Sequence, residues 1–307
     1  PGRNEASGPG MDRAILRLAD EMQVPAASPF LGGSLGTLPR MPAERLQFTA
    51  ERVQRLHVSS EEDLKLPGFL VRENPLPRGF VVATHDPGKE ALTEDPVVRR
   101  LLEDGWGVVG VDVRGVGELE PPGMGWILGV TLLLGENYVW RQGWDLRVAV
   151  ESVASAFPGK PVGLYAAGHN MSLAGMFAFA QLREAGRLPA WIALRGGFLS
   201  FRSFLNRPLN RPLSHRLLPA DPHGPGGFDR EIPMTYFPFD ALRHFDLPQL
   251  IAGSRARVLV VDPIDGDWNV LSVADARAML GPGVEVLSGA SPEKVADRIA
   301  GLAQQGL

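Results

Sequence analysis

Short apolar runs separated by polar, glycine-rich turns dominate the chain from residue 79 onward, alternating with segments whose apolar residues recur at helical spacing. Residues 79–84 (GFVVAT), 107–113 (GVVGVDV), 161–166 (PVGLYA), 190–194 (AWIAL), 257–262 (RVLVVD) and 284–287 (VEVL) read as buried strands. Between them, 95–104, 146–157, 173–184 and 273–280 read as helices. Strands apolar on both faces that alternate with helices predict an α/β class: a mostly parallel central sheet flanked by helices. Upstream, 46–58 and 68–72 read as an antiparallel pair joined by a polar turn at 59–65.

The two remaining stretches break this rhythm. Residues 1–10 (PGRNEASGPG) are small and polar, 11–22 space Ile15, Leu18 and Met22 for a short amphipathic helix, and 24–42 read as an extended wrap. The expected division is therefore an amino-terminal arm with a short helix over 1–44 and one domain over 45–307. Within that domain, 196–238 is rich in proline and aromatics, and a lid-like insertion over about 196–240 is expected at the carboxyl edge of the sheet. Its aromatics (Phe198, Phe201, Phe204, Phe228, Tyr236, Phe237, Phe239) either line an acyl or sugar pocket or anchor the lid to the body.

Composition changes this picture mainly by exclusion. With 44% apolar and 21% charged residues over 307 positions, the chain is an ordinary globular sequence, long enough for a full core. A net charge of −4 gives no field that would gather nucleic acid. The absence of cysteine removes disulfides, thiolate metal sites and cysteine nucleophiles. The longest apolar run, WILGVTLLL over 126–134, is too short for a transmembrane segment. A leader removed on export and a cleaved tag would both leave the observed start at Pro1, so the compartment stays open between cytoplasm and export.

Three motifs carry a family resemblance. Asp112–Gly117 reads DVRGVG after a buried strand, HDPG at 85–88 follows the first parallel strand, and YAAGHNMSLAG at 165–175 spans a strand-to-helix junction. In this order and spacing the chain resembles the α/β-hydrolase superfamily, and most of all bacterial acetyl xylan esterases and related carboxylesterase-like proteins. Residues 242–263 add to the likeness, which covers about residues 69–287. The resemblance implies an α/β-hydrolase fold whose G-x-S-x-G elbow presents a serine nucleophile, with the next backbone N–H as an oxyanion donor.

The positions implied to be catalytic depart from that pattern. The elbow reads Gly168-His169-Asn170-Met171-Ser172, which puts a neutral carboxamide in the nucleophile slot. Ser172 is the substitute nucleophile to consider, although a hydroxyl in the first turn of a helix equally serves a free backbone N–H. Deamidation of Asn170 to an aspartate nucleophile and an engineered replacement of serine are further readings. The acid would follow the strand over 257–262, where Asp265 and Asp267 are candidates and Asp262 is also available; a polar turn explains the same residues. The histidine is expected after the last strand, but the chain there reads LSGASP and holds no histidine beyond His244. Without an imidazole, a serine has no general base.

The six histidines divide by position. His57 and His244 read as structural, and His215 and His223 lie in the insertion, where they could reach the cleft. His169, which flanks the elbow, and His85 belong with Asp86 and Met171 to the implied oxyanion and cleft-binding set. None has metal-ligand spacing such as H-E-x-x-H, and no cofactor is expected. The glycines at 105, 107 and 110 and those of DVRGVG suit tight turns rather than a dinucleotide fingerprint. The expected protein is an α/β-hydrolase with a degenerate triad that acts by binding or assembly. Its candidate partners are a small ester, acyl or sugar ligand, a partner chain or a second copy. The alternative is an active or mutated carboxylic-ester hydrolase using Asp265 or Asp267, a histidine of the insertion, and Ser172 or water.

Overall fold

The computed structural model describes residues 35–37, 53–121, 127, 130–131, 137–205, 238, 241–252, 256–266 and 268–305. A nine-stranded sheet organises them. Its strands are β1 (Leu35–Thr37), β2 (Val53–Ser59), β3 (Lys65–Val71), β4 (Phe80–His85), β5 (Gly107–Val111), β6 (Val162–Ala167), β7 (Trp191–Arg195), β8 (Arg257–Val261) and β9 (Val284–Leu287). The spatial order is β1-β2-β3-β5-β4-β6-β7-β8-β9. Strands β1, β2 and β3 pair antiparallel, β3 meets β5 antiparallel, and every pairing from β5 to β9 is parallel.

Alternating side chains send each strand's apolar residues into two separate cores. Phe80, Val82, Leu164 and Ala166 face one layer, built from α2 (Tyr138–Ala156) and α3 (His169–Glu184). Val81, Ala83, Tyr165 and Ala193 face the other, built from α1 (Pro96–Glu103) and a carboxyl-terminal helix over Pro292–Gln305. Both faces are thus covered, as a parallel sheet requires.

The predicted elements recur with shifted ends. The helix predicted over 146–157 begins eight residues earlier, because the Asn137 side chain accepts from the Trp140 N–H and caps it there. The helix predicted over 173–184 begins at His169. The helix over Pro292–Gln305 and the short strand β1 were not predicted. Residues 1–34, most of the 126–134 run and residues 206–237 of the insertion lie outside the described residues. The insertion's first residues are tied to the body by Asp246, which accepts from Ser200 Oγ (2.6 Å) and Phe201 N (2.7 Å) while capping the helix Leu247–Ile251.

The DVRGVG turn holds two buried charge networks. Asp112 accepts from Lys89 Nζ (2.6 Å), Lys89 N (2.6 Å) and Glu118 N (3.0 Å), and Lys89 also reaches Glu118. Asp145, fully buried on α2, receives Arg114 Nε (2.8 Å), Arg114 Nη2 (2.7 Å), Arg114 N (3.0 Å) and Ser60 Oγ (2.5 Å). The motif therefore clamps the 85–89 loop and α2 to the sheet.

Candidate functional site

The strand order reverses direction between β4 and β6. From β4 the chain crosses to β5 on one side; from β6 it crosses to β7 on the other. Such a switch point opens a crevice outside the carboxyl ends of the strands, where ligands of open α/β sheets bind. Here the switch point lies between the 85–88 turn and the start of α3, with His85 in register with Ala167.

One carboxylate bridges the two sides of this switch point. Asp86 Oδ1 accepts from Met171 N (2.8 Å) and Oδ2 from Asn170 N (3.3 Å), so the side chain caps α3 from outside its own sequence. Gly168 makes room for it: its φ of 100° lies where side chains are strained, and a Cβ there would stand 2.2 Å from Asp86 Cγ. Loss of hydration pushes the Asp86 carboxyl above its ordinary range, opposed by the Met171 and Asn170 N–H groups and by His169.

Beside it, His169 Nδ1 lies 2.5 Å from the Gly196 carbonyl oxygen. The ring stands edge-on to Trp268 (centroids 4.9 Å apart) and tilted against Phe198 (5.9 Å). Ser172 is fully buried, and its Oγ donates to the Arg195 carbonyl (2.6 Å), with that of Ala166 at 3.2 Å.

No family model and no curated protein matches this chain. Solved structures do. It is similar to the acetyl xylan esterase of Paenibacillus sp. R4 (TM-score 0.57, 13% identity, 100% of this chain and 97% of that one). It is also similar to an esterase of Pyrococcus furiosus (0.55, 14%, 89% and 97%) and to a dienelactone hydrolase of Anabaena variabilis (0.50, 17%, 83% and 98%). The chain has the α/β-hydrolase fold.

In an α/β-hydrolase the nucleophile sits on a strained turn between this strand and this helix, and the following N–H serves the oxyanion. Here the positive φ falls on Gly168, while Asn170 is the second residue of α3. Among the described residues, the non-glycine positions with positive φ are Asp262 and Trp268, both after β8. Met171 N, which stands where that fold places its oxyanion donor, donates to the Asp86 carboxylate.

The loop after β8 is folded on itself. Asp265 Oδ1 accepts from Asn269 N (3.0 Å), and Asp265 N donates to Asn269 O (3.0 Å). Asp262 accepts from Gly289 N (2.7 Å), which joins the loops after β8 and β9. Asp267, His215 and His223 lie outside the described residues. A groove of about 490 Å³ lined by Arg257, Arg277 and Glu285 opens at the amino ends of β8 and β9, the opposite edge of the sheet.

Sequence reasoning missed the polar cluster on the α1 face. Tyr165 Oη donates to Asp95 Oδ2 (2.7 Å), and Arg195 Nη1 lies 3.9 Å from the same oxygen. Burial together with Asp95 holds the Tyr165 hydroxyl well above its ordinary range. The signal was the break in strand hydrophobicity at His85 and Arg195, which flank Ala167 on neighbouring strands.

Burial lowers the His85 pKa below its ordinary 6.5, more than Asp86 and Asp95 raise it. A histidine depressed in the folded state contributes stability above 6.5 that is lost as pH falls. Asp86, raised, has the opposite sense: it costs stability as pH rises through its folded value. Urea unfolding at about pH 7 and about pH 5.5 should therefore show a His85-dependent fall in acid, flattened in His85→Phe. An unchanged slope in that variant would contradict the assignment.

Proposed function

We propose that this α/β-hydrolase has lost serine-hydrolase activity and acts by binding a small ligand in the switch-point crevice. The observation that carries the reading is the Asp86 carboxylate on the Met171 N–H at 2.8 Å. Acyl transfer from an ester places negative charge on the former carbonyl oxygen, and catalysis requires donors aimed at that charge. Here the donor is already taken by an anion, so a developing oxyanion would meet like charge. Asn170 supplies no nucleophile, and no histidine follows His244 to act as base. Ser172 offers no substitute, because its hydroxyl points into the protein and is held by the Arg195 carbonyl.

The test is hydrolysis of p-nitrophenyl acetate and butyrate by the purified protein and by Asn170→Ser and Ser172→Ala variants. All three are expected to stay at the rate of the uncatalysed reaction. Turnover by the unaltered protein that vanishes in Ser172→Ala would overturn the reading and make Ser172 the nucleophile. Turnover gained only in Asn170→Ser would show that the oxyanion site still works.

A further inference from the structure

We infer that the groove at the amino ends of β8 and β9 is a second ligand site, which takes a small organic anion with a carboxylate or phosphate head group. It lies at the edge of the sheet opposite the switch point and does not depend on the function proposed there. Its volume is about 490 Å³, a size that holds small molecules. Arg257 lines it from the first position of β8, and Arg277 from the last turn of the helix Val273–Leu280. Both residues are exposed, and among the described residues neither forms an ion pair.

Among the described residues, no other group lining the groove cancels these two charges. Glu285 is bonded through both oxygens to Arg298 Nε and Nη2, so its charge is already matched. Gln305 adds a neutral amide, and the buried Val258, Val284 and Leu302 give the groove apolar walls. The chain as a whole carries a net charge of −4, so the positive sign is local to this groove. Two like charges lining one groove repel each other, and an anion between them removes that cost. The guanidinium fork matches carboxylate and phosphate oxygens two at a time. An alkylammonium would meet like charge, and a neutral ligand would leave both forks unmatched. Beside Gly283 the groove is open, because a Cβ there would meet nothing within 4 Å.

Carboxylates and phosphates share this chemistry, and the experiment separates them. The Gly283 amide and the Nε signals of Arg257 and Arg277 are followed in ¹H–¹⁵N spectra while the whole chain is titrated with benzoate, phenyl phosphate and benzylamine. Salt is held at about 0.15 M, where exposed charges are screened beyond about 8 Å. Benzoate, phenyl phosphate or both should shift the three signals saturably, and the tighter of the two identifies the head group; benzylamine should shift none. Arg257→Gln and Arg277→Gln should each weaken anion binding by about tenfold, with folding checked by thermal unfolding. Lys160→Gln, which removes an exposed cation just before β6, two strands away, should leave it unchanged. No anion shifting the signals, benzylamine shifting them as well, binding unchanged in either arginine variant, or an equal loss in Lys160→Gln would each overturn the inference. Ester turnover at the switch point, present or absent, bears on none of these outcomes.

Discussion

Asp145→Ala is expected to lower the unfolding free energy by about 3–5 kcal/mol, the range for breaking a buried ion pair from one side. Asp145 is fully buried and receives three N–H groups of Arg114 and the Ser60 hydroxyl. Removing it leaves the largely buried Arg114 guanidinium with Glu61, at 2.6 Å, as the carboxylate that remains bonded to it. Ser60 loses its acceptor as well. Asp145→Asn keeps volume and one acceptor, so its loss should be smaller. Urea unfolding measures both; a loss near that of an exposed pair, below about 1 kcal/mol, would mean that water reaches the network.

Gly168→Ala is expected to cost about 2–4 kcal/mol, from backbone strain together with overpacking. The strain follows from φ at 100°, and the overpacking from a Cβ placed 2.2 Å from Asp86 Cγ and 2.5 Å from both of its oxygens. The two causes separate in a double-mutant cycle. Asp86→Gly in the Gly168→Ala background removes the collision and should recover part of the loss, while the strain remains. Strict additivity of the two substitutions would contradict the packing of Asp86 against Gly168.

The sheet was legible because its strands are fully apolar and bounded by turns, as in GFVVAT and PVGLYA. What escaped were features fixed by distant partners. Residues 169–172 did not read as helix because their cap, Asp86, lies 85 positions from Met171. Likewise α2 starts early through Asn137, a cap the hydrophobic pattern does not register. The carboxyl-terminal helix carries a readable signal in Val295, Ala296, Ile299, Ala300, Leu302 and Ala303, spaced for one buried face. GHNMS lies at a strand-to-helix junction and HDPG follows β4, but residue types alone do not reveal that the aspartate of one turn occupies the N–H groups of the other.

The Asp86 carboxylate sits on the Met171 N–H, and the Met171 amide reports on it directly. In a pH titration followed by ¹H–¹⁵N spectra, that amide should move with one ionisation lying above the ordinary carboxylate range. The transition should disappear in Asp86→Asn while the fold persists. A Met171 amide that ignores pH, or that titrates unchanged in Asp86→Asn, would mean that the donor is free and would remove the main reason for regarding the site as closed to ester hydrolysis.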